Sequence, residues 1–175
     1  MKPTTKKVAA IHDLSGFGRA SLCSIIPTLS SMGVQVCPVP TAILSTHSGG
    51  FTDYTFHDLT EEIPAYIHHW EKLGLTFDCI YSGFLGSPRQ TELVAEICKK
   101  FRREDTLVVI DPVMGDNGSL YSSISKDMIP EMRKLIRSAD IIVPNYTEAA
   151  LLLEQKAKES ITKEEMRSWL RALSD

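Results

Sequence analysis

Short apolar runs alternate with longer amphipathic runs along this sequence, and the alternation limits the possible folds more than any other feature. The runs typical of buried strands are Val8–His12, Val34–Pro40, Asp78–Gly83, Thr106–Asp111 and Asp140–Pro144. The segments between them carry helix signals, most clearly Ser87–Phe101, which opens with Ser-Pro and ends with basic residues. Strands separated by helices form βαβ units, and these build a parallel sheet with helices on both faces. The sequence therefore predicts one doubly wound α/β domain over residues 1–175.

The C-terminal end of the sequence interrupts this alternation. The last segment is an amphipathic helix with a capping-box spacing at Thr162 and Glu165, and the pattern calls for another strand after it. We therefore expect a fold that is truncated at its C-terminus, with one sheet edge and one apolar face uncovered. Such a surface favours association with a second copy, so we expect a homodimer.

Charge and cysteine content exclude several classes of protein. The net charge is −3, which gives no reason to expect nucleic acid or an anionic membrane as a partner. No apolar run is long enough to span a bilayer. The four cysteines are scattered without a C-x-x-C pair, which argues against a zinc site and a disulfide framework. We expect a cytoplasmic protein whose ligands are small molecules.

Every predicted strand is followed by a loop of small, glycine-rich or acidic residues. These loops are Asp13–Gly18, Ser45–Gly50, Ser82–Ser87, Asp111–Gly118 and Asn145–Glu148. Any one such loop is ordinary, because turns are made of these residues. Five of them at the carboxyl edge of one parallel sheet favour a shared ligand site, since that edge is where α/β sheets bind ligands.

Three common enzyme motifs are absent or incomplete. Gly16-Phe-Gly18-Arg-Ala-Ser21 approaches the dinucleotide fingerprint, but Ser21 replaces the third glycine and no acid follows the second strand. Neither a G-x-x-x-x-G-K-[ST] phosphate loop nor a G-x-S-x-G nucleophile elbow occurs. The histidines, including His68-His69, form no pair with metal-binding spacing. A nicotinamide-dependent dehydrogenase, a P-loop nucleoside triphosphatase and a serine hydrolase are therefore disfavoured.

Taken together, the loop sequences resemble the N-terminal part of the vitamin B6 (pyridoxal/pyridoxamine) kinases of the ribokinase-like superfamily. The blocks that carry the resemblance are AIHDLSGFGRAS, PTAILSTHSGGF, YSGFLGS, IDPVMGDNGSLY and IIVPNYTEA. It covers about Val8–Leu153. It implies ATP-dependent phosphorylation of the hydroxymethyl group of pyridoxal, pyridoxamine or pyridoxine. It also implies ATP and Mg²⁺ as cofactors, and leaves open whether K⁺ is needed.

The resemblance also implies roles for particular residues. Substrate-binding positions are Asp13, His47, Ser48 and Phe84, and nucleotide-side positions are Asp111, Val143, Asn145 and Glu148. Glu148 and Asp111 would hold Mg²⁺, mostly through water. Asp13 departs from the family pattern, which has serine there in many members, so the exact ring substrate stays open.

The family's catalytic base is an aspartate in a G-x-G-D turn, and no such block occurs in these 175 residues. Asp116 follows a glycine but lacks this context. We therefore expect the chain to lack a catalytic base and to be inactive alone. A hydroxymethylpyrimidine (phosphate) kinase and a non-catalytic pyridoxal-binding module remain as alternatives.

Overall fold

The computed structural model describes residues 5–157 and 160–174. Its strands are β1 (Lys7–Phe17), β2 (Gln35–Thr46), β3 (Phe56–Asp58), β4 (Cys79–Ser82), β5 (Leu107–Ile110), β6 (Gly115–Asp116), β7 (Ser119–Leu120) and β8 (Ile141–Ile142). Its helices are α1 (Leu22–Ser31), α2 (Ile63–Lys72), α3 (Pro88–Phe101), α4 (Met128–Ile136), α5 (Tyr146–Leu152) and α6 (Lys163–Ser174).

Six strands form one sheet in the order β3-β2-β1-β4-β5-β8. All neighbours in it are parallel except β2 and β3, which pair antiparallel. Parallel pairing brings the carboxyl ends of β1, β2, β4, β5 and β8 to the same edge of the sheet. The predicted α/β architecture is confirmed. The five polar loops lie at this carboxyl edge of the sheet.

The main apolar core lies between one sheet face and helices α2, α3 and α4. Alternate residues of the central strands supply it, for example Ala9 and Ile11 of β1 and Ile80 of β4, each fully buried. Helix α1 packs against β1 and β2, and its buried Leu22 lies outside this cluster. Helices thus cover both faces of the sheet.

Two predicted strand boundaries were wrong. β1 extends to Phe17 instead of ending at His12, and β2 extends to Thr46 instead of Pro40, so the predicted loops Asp13–Gly18 and Ser45–Gly50 both begin within strands. The two strands stay paired beyond a register shift between His12 and Leu14. The extra residue lies on β2, where Thr41 and Ala42 oppose the single residue Asp13, and regular pairing resumes after it.

The helix-start predictions differ in outcome. The capping box of α6 is confirmed: the Thr162 amide donates to Glu165 Oε2 at 2.9 Å, and the Glu165 amide donates to Thr162 Oγ1 at 3.1 Å. Ser87 occupies the N-cap of α3 with an extended backbone, but its hydroxyl makes no capping hydrogen bond. The sequence thus located both helix starts, and only one of them has the predicted side-chain contacts.

An apolar strip lies exposed beside the β8 edge of the sheet. Leu107, Ile141 and Val143 are 41%, 45% and 47% exposed. Side chains two residues apart on a strand lie on the same face, so Leu107 shares a face with Val109. Val109 pairs with Ile141, so the three exposed side chains also share that face.

Among the described residues, no helix has both the length and the apolar character that crossing a membrane requires.

Candidate active site

A cavity of about 180 Å³ opens at the carboxyl edge of the sheet, over the ends of β1, β2 and β4. It is smaller than the roughly 300–1,000 Å³ of pockets for drug-sized ligands, so it suits a small, single-ring molecule. Its lining residues are Asp13, Ala20, Ser21, Leu44, His47, Ser48, Gly49, Phe84, Val113 and Tyr121. All four predicted substrate-binding residues, Asp13, His47, Ser48 and Phe84, belong to this set.

Among the residues that the structure describes, Asp13 supplies the one carboxyl group of the cavity wall. It lies on β1 opposite the β2 bulge, where Thr41 and Ala42 face this single residue, and only 5% of it is exposed. The Ser15 hydroxyl donates to its Oδ2 at 2.9 Å. Asp13 lies two residues after Ile11 and therefore on the same face of β1, at the end of the strand where the cavity opens.

Phe84 forms an apolar wall of the cavity and is held by a buried network. The Thr41 hydroxyl donates to the Phe84 carbonyl at 2.9 Å, and Gln90 Nε2 donates to the Thr41 carbonyl at 2.9 Å. Gln90 Oε1 in turn accepts the Gly86 amide at 2.8 Å. Because these groups are satisfied and buried, the loop after β4 is fixed, and the aromatic ring has a defined position.

His47 packs closely over the loop that follows β1. Gly18 has φ +98°, and a Cβ at this position would lie 2.1 Å from His47 Cδ2. The ring of Phe51 meets the His47 imidazole edge to face, with centroids 4.9 Å apart, and also meets Phe17 at 5.9 Å. Glycine at position 18 is thus required for the close approach of the two loops.

Asp111 and Glu148 form a second group of polar residues, beyond β5 and β8. Asp111 is half-buried, and its amide donates to the Ser82 carbonyl at 2.8 Å. Burial raises the pKa of Asp111 to about 6. Burial also raises the pKa of Glu148 to about 7, and the negative charge of Asp111 adds to that increase. Two partly desolvated carboxyl groups that repel one another are favourable partners for a cation.

Glu148 is tied to backbone on both of its oxygens. Oε1 accepts the Met114 amide at 3.1 Å, and Oε2 accepts the Asn145 amide at 2.9 Å. The Asn145 side chain completes a capping box for α5 and donates to the Gly115 carbonyl at 2.8 Å. Each oxygen accepts one amide and keeps a second acceptor site, which can face a Mg²⁺ ion or a water that the ion holds.

Thr147 is a site residue that the sequence reasoning missed. Its hydroxyl accepts the Gly118 amide at 2.9 Å. Gly118 and Asn117 form the turn of the β6–β7 hairpin, with φ of +79° and +51°, as in a type I′ turn. The Asn-Gly pair is a hairpin signal, whereas the prediction for this segment was only the loop Asp111–Gly118. Thr147 thus anchors the turn of the loop that begins at Asp111.

The structure brings most predicted residues into two neighbouring groups but separates one. Val143 is 47% exposed at the sheet edge, and its amide donates to the Ile110 carbonyl at 3.2 Å.

No cluster of three or more His, Cys, Asp or Glu side chains suited to a metal occurs in residues 5–157 and 160–174. Asp111 and Glu148 alone would supply protein carboxyl groups to an ion. That number fits Mg²⁺, which keeps several waters.

Comparison with protein families gives a match to the phosphomethylpyrimidine kinase family over residues 23–175. A crystal structure from Bacteroides thetaiotaomicron, of a protein assigned as a phosphomethylpyrimidine kinase and solved with pyridoxal, is 53% identical, with a TM-score of 0.96 over 98% of this chain and 60% of that one. Pyridoxal kinase from Lactobacillus plantarum is 34% identical, with a TM-score of 0.87 over 97% of this chain and 60% of that one.

A pyridoxal kinase from Leishmania donovani, solved with ADP and pyridoxamine, shares the fold at 23% identity, with a TM-score of 0.81 over 95% of this chain and 61% of that one. The chain spans about half the length of the curated pyridoxal kinases that it matches. For the one from Vibrio vulnificus, the alignment covers 53% of that protein and 85% of this chain at 28% identity. The predicted resemblance to the B6 kinases is therefore confirmed. It extends over only part of the length of these relatives.

Proposed function

The chain belongs to the phosphomethylpyrimidine kinase family, and from this premise we propose that it forms the substrate-binding part of a vitamin B6 kinase. The reaction is transfer of the γ-phosphoryl group of ATP to the hydroxymethyl group of pyridoxal, pyridoxamine or pyridoxine. The observation that carries the proposal is the small cavity between Phe84 and Asp13. It combines an aromatic wall with a carboxyl acceptor, the two elements that a polar aromatic ring requires.

The comparisons support the B6 ring over other small rings. The Bacteroides thetaiotaomicron protein was crystallised with pyridoxal, and its aligned part is 53% identical to this chain. The family name points instead to a pyrimidine substrate, which keeps hydroxymethylpyrimidine (phosphate) as the second candidate. Both rings carry a hydroxymethyl group, so the two candidates differ only in the groups that the cavity wall must recognise.

The second group of residues would serve the nucleotide. Phosphoryl transfer depends on positioning and on neutralising the phosphate charge. Mg²⁺, when bound, supplies that neutralisation, and Asp111 and Glu148 would hold it, mostly through water. Asn145 and Thr147 fix the intervening loop from α5, by bonds to the Gly115 carbonyl and the Gly118 amide. The resemblance to the B6 kinases also assigns Val143 to the nucleotide side.

The chain alone should bind the ring without appreciable turnover. No G-x-G-D block occurs in the sequence, and this block supplies the base in the family that the chain resembles. Steady ATP-dependent phosphorylation of pyridoxal by the 175-residue chain would contradict this expectation. A chain that binds pyridoxal but is indifferent to ATP and Mg²⁺ would favour the third candidate, a non-catalytic pyridoxal-binding module.

The experiment that decides between the candidates is a calorimetric titration with pyridoxal, pyridoxamine, hydroxymethylpyrimidine and its phosphate, each with and without Mg-ATP. We expect the B6 vitamers to bind more tightly than either pyrimidine. Asp111→Asn should weaken Mg-ATP binding and leave pyridoxal binding intact. Glu92→Gln, on the exposed face of α3, is the matched control because its side chain is 58% exposed and forms an ion pair with surface Arg89. Preferential binding of a pyrimidine would contradict the proposal.

The homodimer and the cytoplasmic location also remain predictions. An exposed apolar strip at a sheet edge favours association with a second chain, because association removes the strip from water. This strip consists of Leu107, Ile141 and Val143. Sedimentation equilibrium measures the mass in solution directly. A dimer mass that reverts to monomer in Ile141→Lys would support the prediction, and a monomer at all concentrations would contradict it.

A further inference from the structure

The turn at Asn117 and Gly118 has a reactivity that phosphoryl transfer does not use. A side-chain amide can react with the next backbone nitrogen, and glycine in that next position helps because it has no Cβ to obstruct the approach. Both residues are exposed at the tip of the β6–β7 hairpin, with φ of +51° and +79°. The two reacting groups therefore lie side by side in contact with water.

The reaction first closes a ring. The Gly118 nitrogen attacks the side-chain carbonyl carbon of Asn117, and its proton passes through solvent to the side-chain nitrogen, which leaves as ammonia. A five-membered cyclic imide remains. One water molecule then opens the imide at either of its two carbonyl carbons, and the product is aspartate or isoaspartate. Water is the only co-reactant, and the loss of ammonia makes the change one-way.

A hydrogen bond from outside the hairpin restrains the attacking atom. The Gly118 amide donates to Thr147 Oγ1 at 2.9 Å, and Thr147 is only 3% exposed at the start of α5. Ring closure requires the Gly118 nitrogen to give up its proton and to move toward the Asn117 side chain. Both changes break this contact, so the ring closes from a locally open state of the hairpin.

We infer that Asn117 is a site of spontaneous deamidation and that the Thr147 contact sets its rate. The reaction does not depend on ring or nucleotide binding, so it stands apart from the proposed function. Its product changes the loop that begins at Asp111. Asn117 Nδ2 donates to Asp116 Oδ2 at 3.3 Å, and deamidation replaces this donor with a carboxylate that repels Asp116. Isoaspartate also lengthens the main chain by one carbon, which a two-residue hairpin turn does not accommodate.

The test is peptide mapping of the whole chain by mass spectrometry during incubation at neutral and mildly alkaline pH. The peptide that contains Asn117 should gain the mass difference between OH and NH₂ and separate into aspartate and isoaspartate forms. The rate should rise with pH, because the attacking nitrogen must lose its proton. Asn145, the other asparagine of the sequence, is the internal control. It precedes tyrosine, and its side chain donates to the Gly115 carbonyl at 2.8 Å, so it should stay intact.

Two comparisons measure the role of Thr147. A free peptide of residues 111–121 gives the rate without the fold. The folded chain should be slower by the same factor by which its Gly118 amide is protected from hydrogen exchange, since both reactions need the open state. Thr147→Val should accelerate the conversion about 3- to 10-fold, the change expected from the loss of one hydrogen bond. Thr147→Ser keeps the hydroxyl and should keep the wild-type rate.

An Asn117 that stays intact in the folded chain, while the free peptide converts completely, would overturn the inference. Conversion of Asn145 at the same rate would overturn the dependence on glycine. A slowing unrelated to the protection of the Gly118 amide, or equal rates in the wild type and Thr147→Val, would overturn the role of Thr147. The peptide and wild-type measurements need no variant, so they decide the question even where Thr147→Val fails to fold.

Discussion

The buried imidazole of His12 should make the stability of the fold depend steeply on acid. His12 is 3% exposed, and its Nε2 has no hydrogen-bond partner among the described residues. Burial lowers its pKa from the ordinary 6.5 to about 3, and a hydrogen bond to the Tyr81 backbone offsets this only partly. The unfolded chain therefore binds a proton below pH 6.5 that the folded chain accepts only near pH 3.

The sign and size of the effect follow from proton linkage. Because the unfolded state binds the extra proton, the free energy of unfolding falls as the pH drops, by at most about 1.4 kcal/mol per pH unit. Two pH units below 6.5, the loss from His12 reaches about 3 kcal/mol. Above pH 6.5 both states hold a neutral imidazole, and the contribution is constant.

The assay is urea unfolding of the wild type and His12→Gln from pH 7.5 to pH 4.5, followed by tryptophan fluorescence. The raised pKa values of Asp111 and Glu148 act in the opposite direction, since those groups stabilise the folded state at low pH. They are common to both proteins and cancel in the difference. His12→Gln should therefore lose less stability on acidification, whatever its stability at pH 7.5.

The matched control is His57→Gln, because His57 is exposed on strand β3, and this variant should follow the wild-type slope. Parallel slopes for the wild type and His12→Gln would refute the reasoning. A titration of the His12 ring in the folded chain near pH 6.5, observed by NMR, would refute it independently.

Other predictions concern the glycines and the loop anchor. Gly18→Ala should lower the free energy of unfolding more than Gly33→Ala. At position 33 the added Cβ meets open space, so the loss comes from the positive φ alone and is about 1–2 kcal/mol. At position 18 the added Cβ also lies 2.1 Å from a neighbouring imidazole. Thermal unfolding compares the two, and equal losses would contradict the account. Thr147→Val should cost about 1–3 kcal/mol and speed hydrogen exchange at the Gly118 amide, because that donor loses its acceptor. Thr147→Ser should restore both values, and unchanged exchange in Thr147→Val would exclude the anchoring role.

The architecture could be predicted because its signals are local and repeated. Each strand run and each helix run has its own period, and together they require parallel pairing. The extension of β1 to Phe17 could not be predicted, because Ser15 and Gly16 are turn formers in isolation. Pairing with β2 across the bulge overrides that local preference. Strand β3 was missed for the same reason, since its residues are exposed and only its pairing with β2 defines it.

The candidate site was predictable as a set of loops and not as a set of contacts. The sequence placed Asp13 and Phe84 at the same sheet edge, and the structure brings both to one cavity. The sequence could not show that Glu148 accepts two backbone amides, because those donors lie on a loop and a helix cap that meet only in the fold. Thr147 was missed because a threonine in a first helical turn is ordinary, and its contact is with a hairpin remote in sequence.

The central claim is that the cavity bounded by Asp13, Ser48 and Phe84 binds a B6 ring. A ¹H–¹⁵N correlation spectrum of the labelled chain, titrated with pyridoxal, tests this most directly. We predict saturable shifts concentrated at the amides of Ser48, Gly49 and Phe84, with little change along the exposed Ile141 edge. Shifts that cluster at that edge, or an unchanged spectrum at millimolar pyridoxal, would contradict the account.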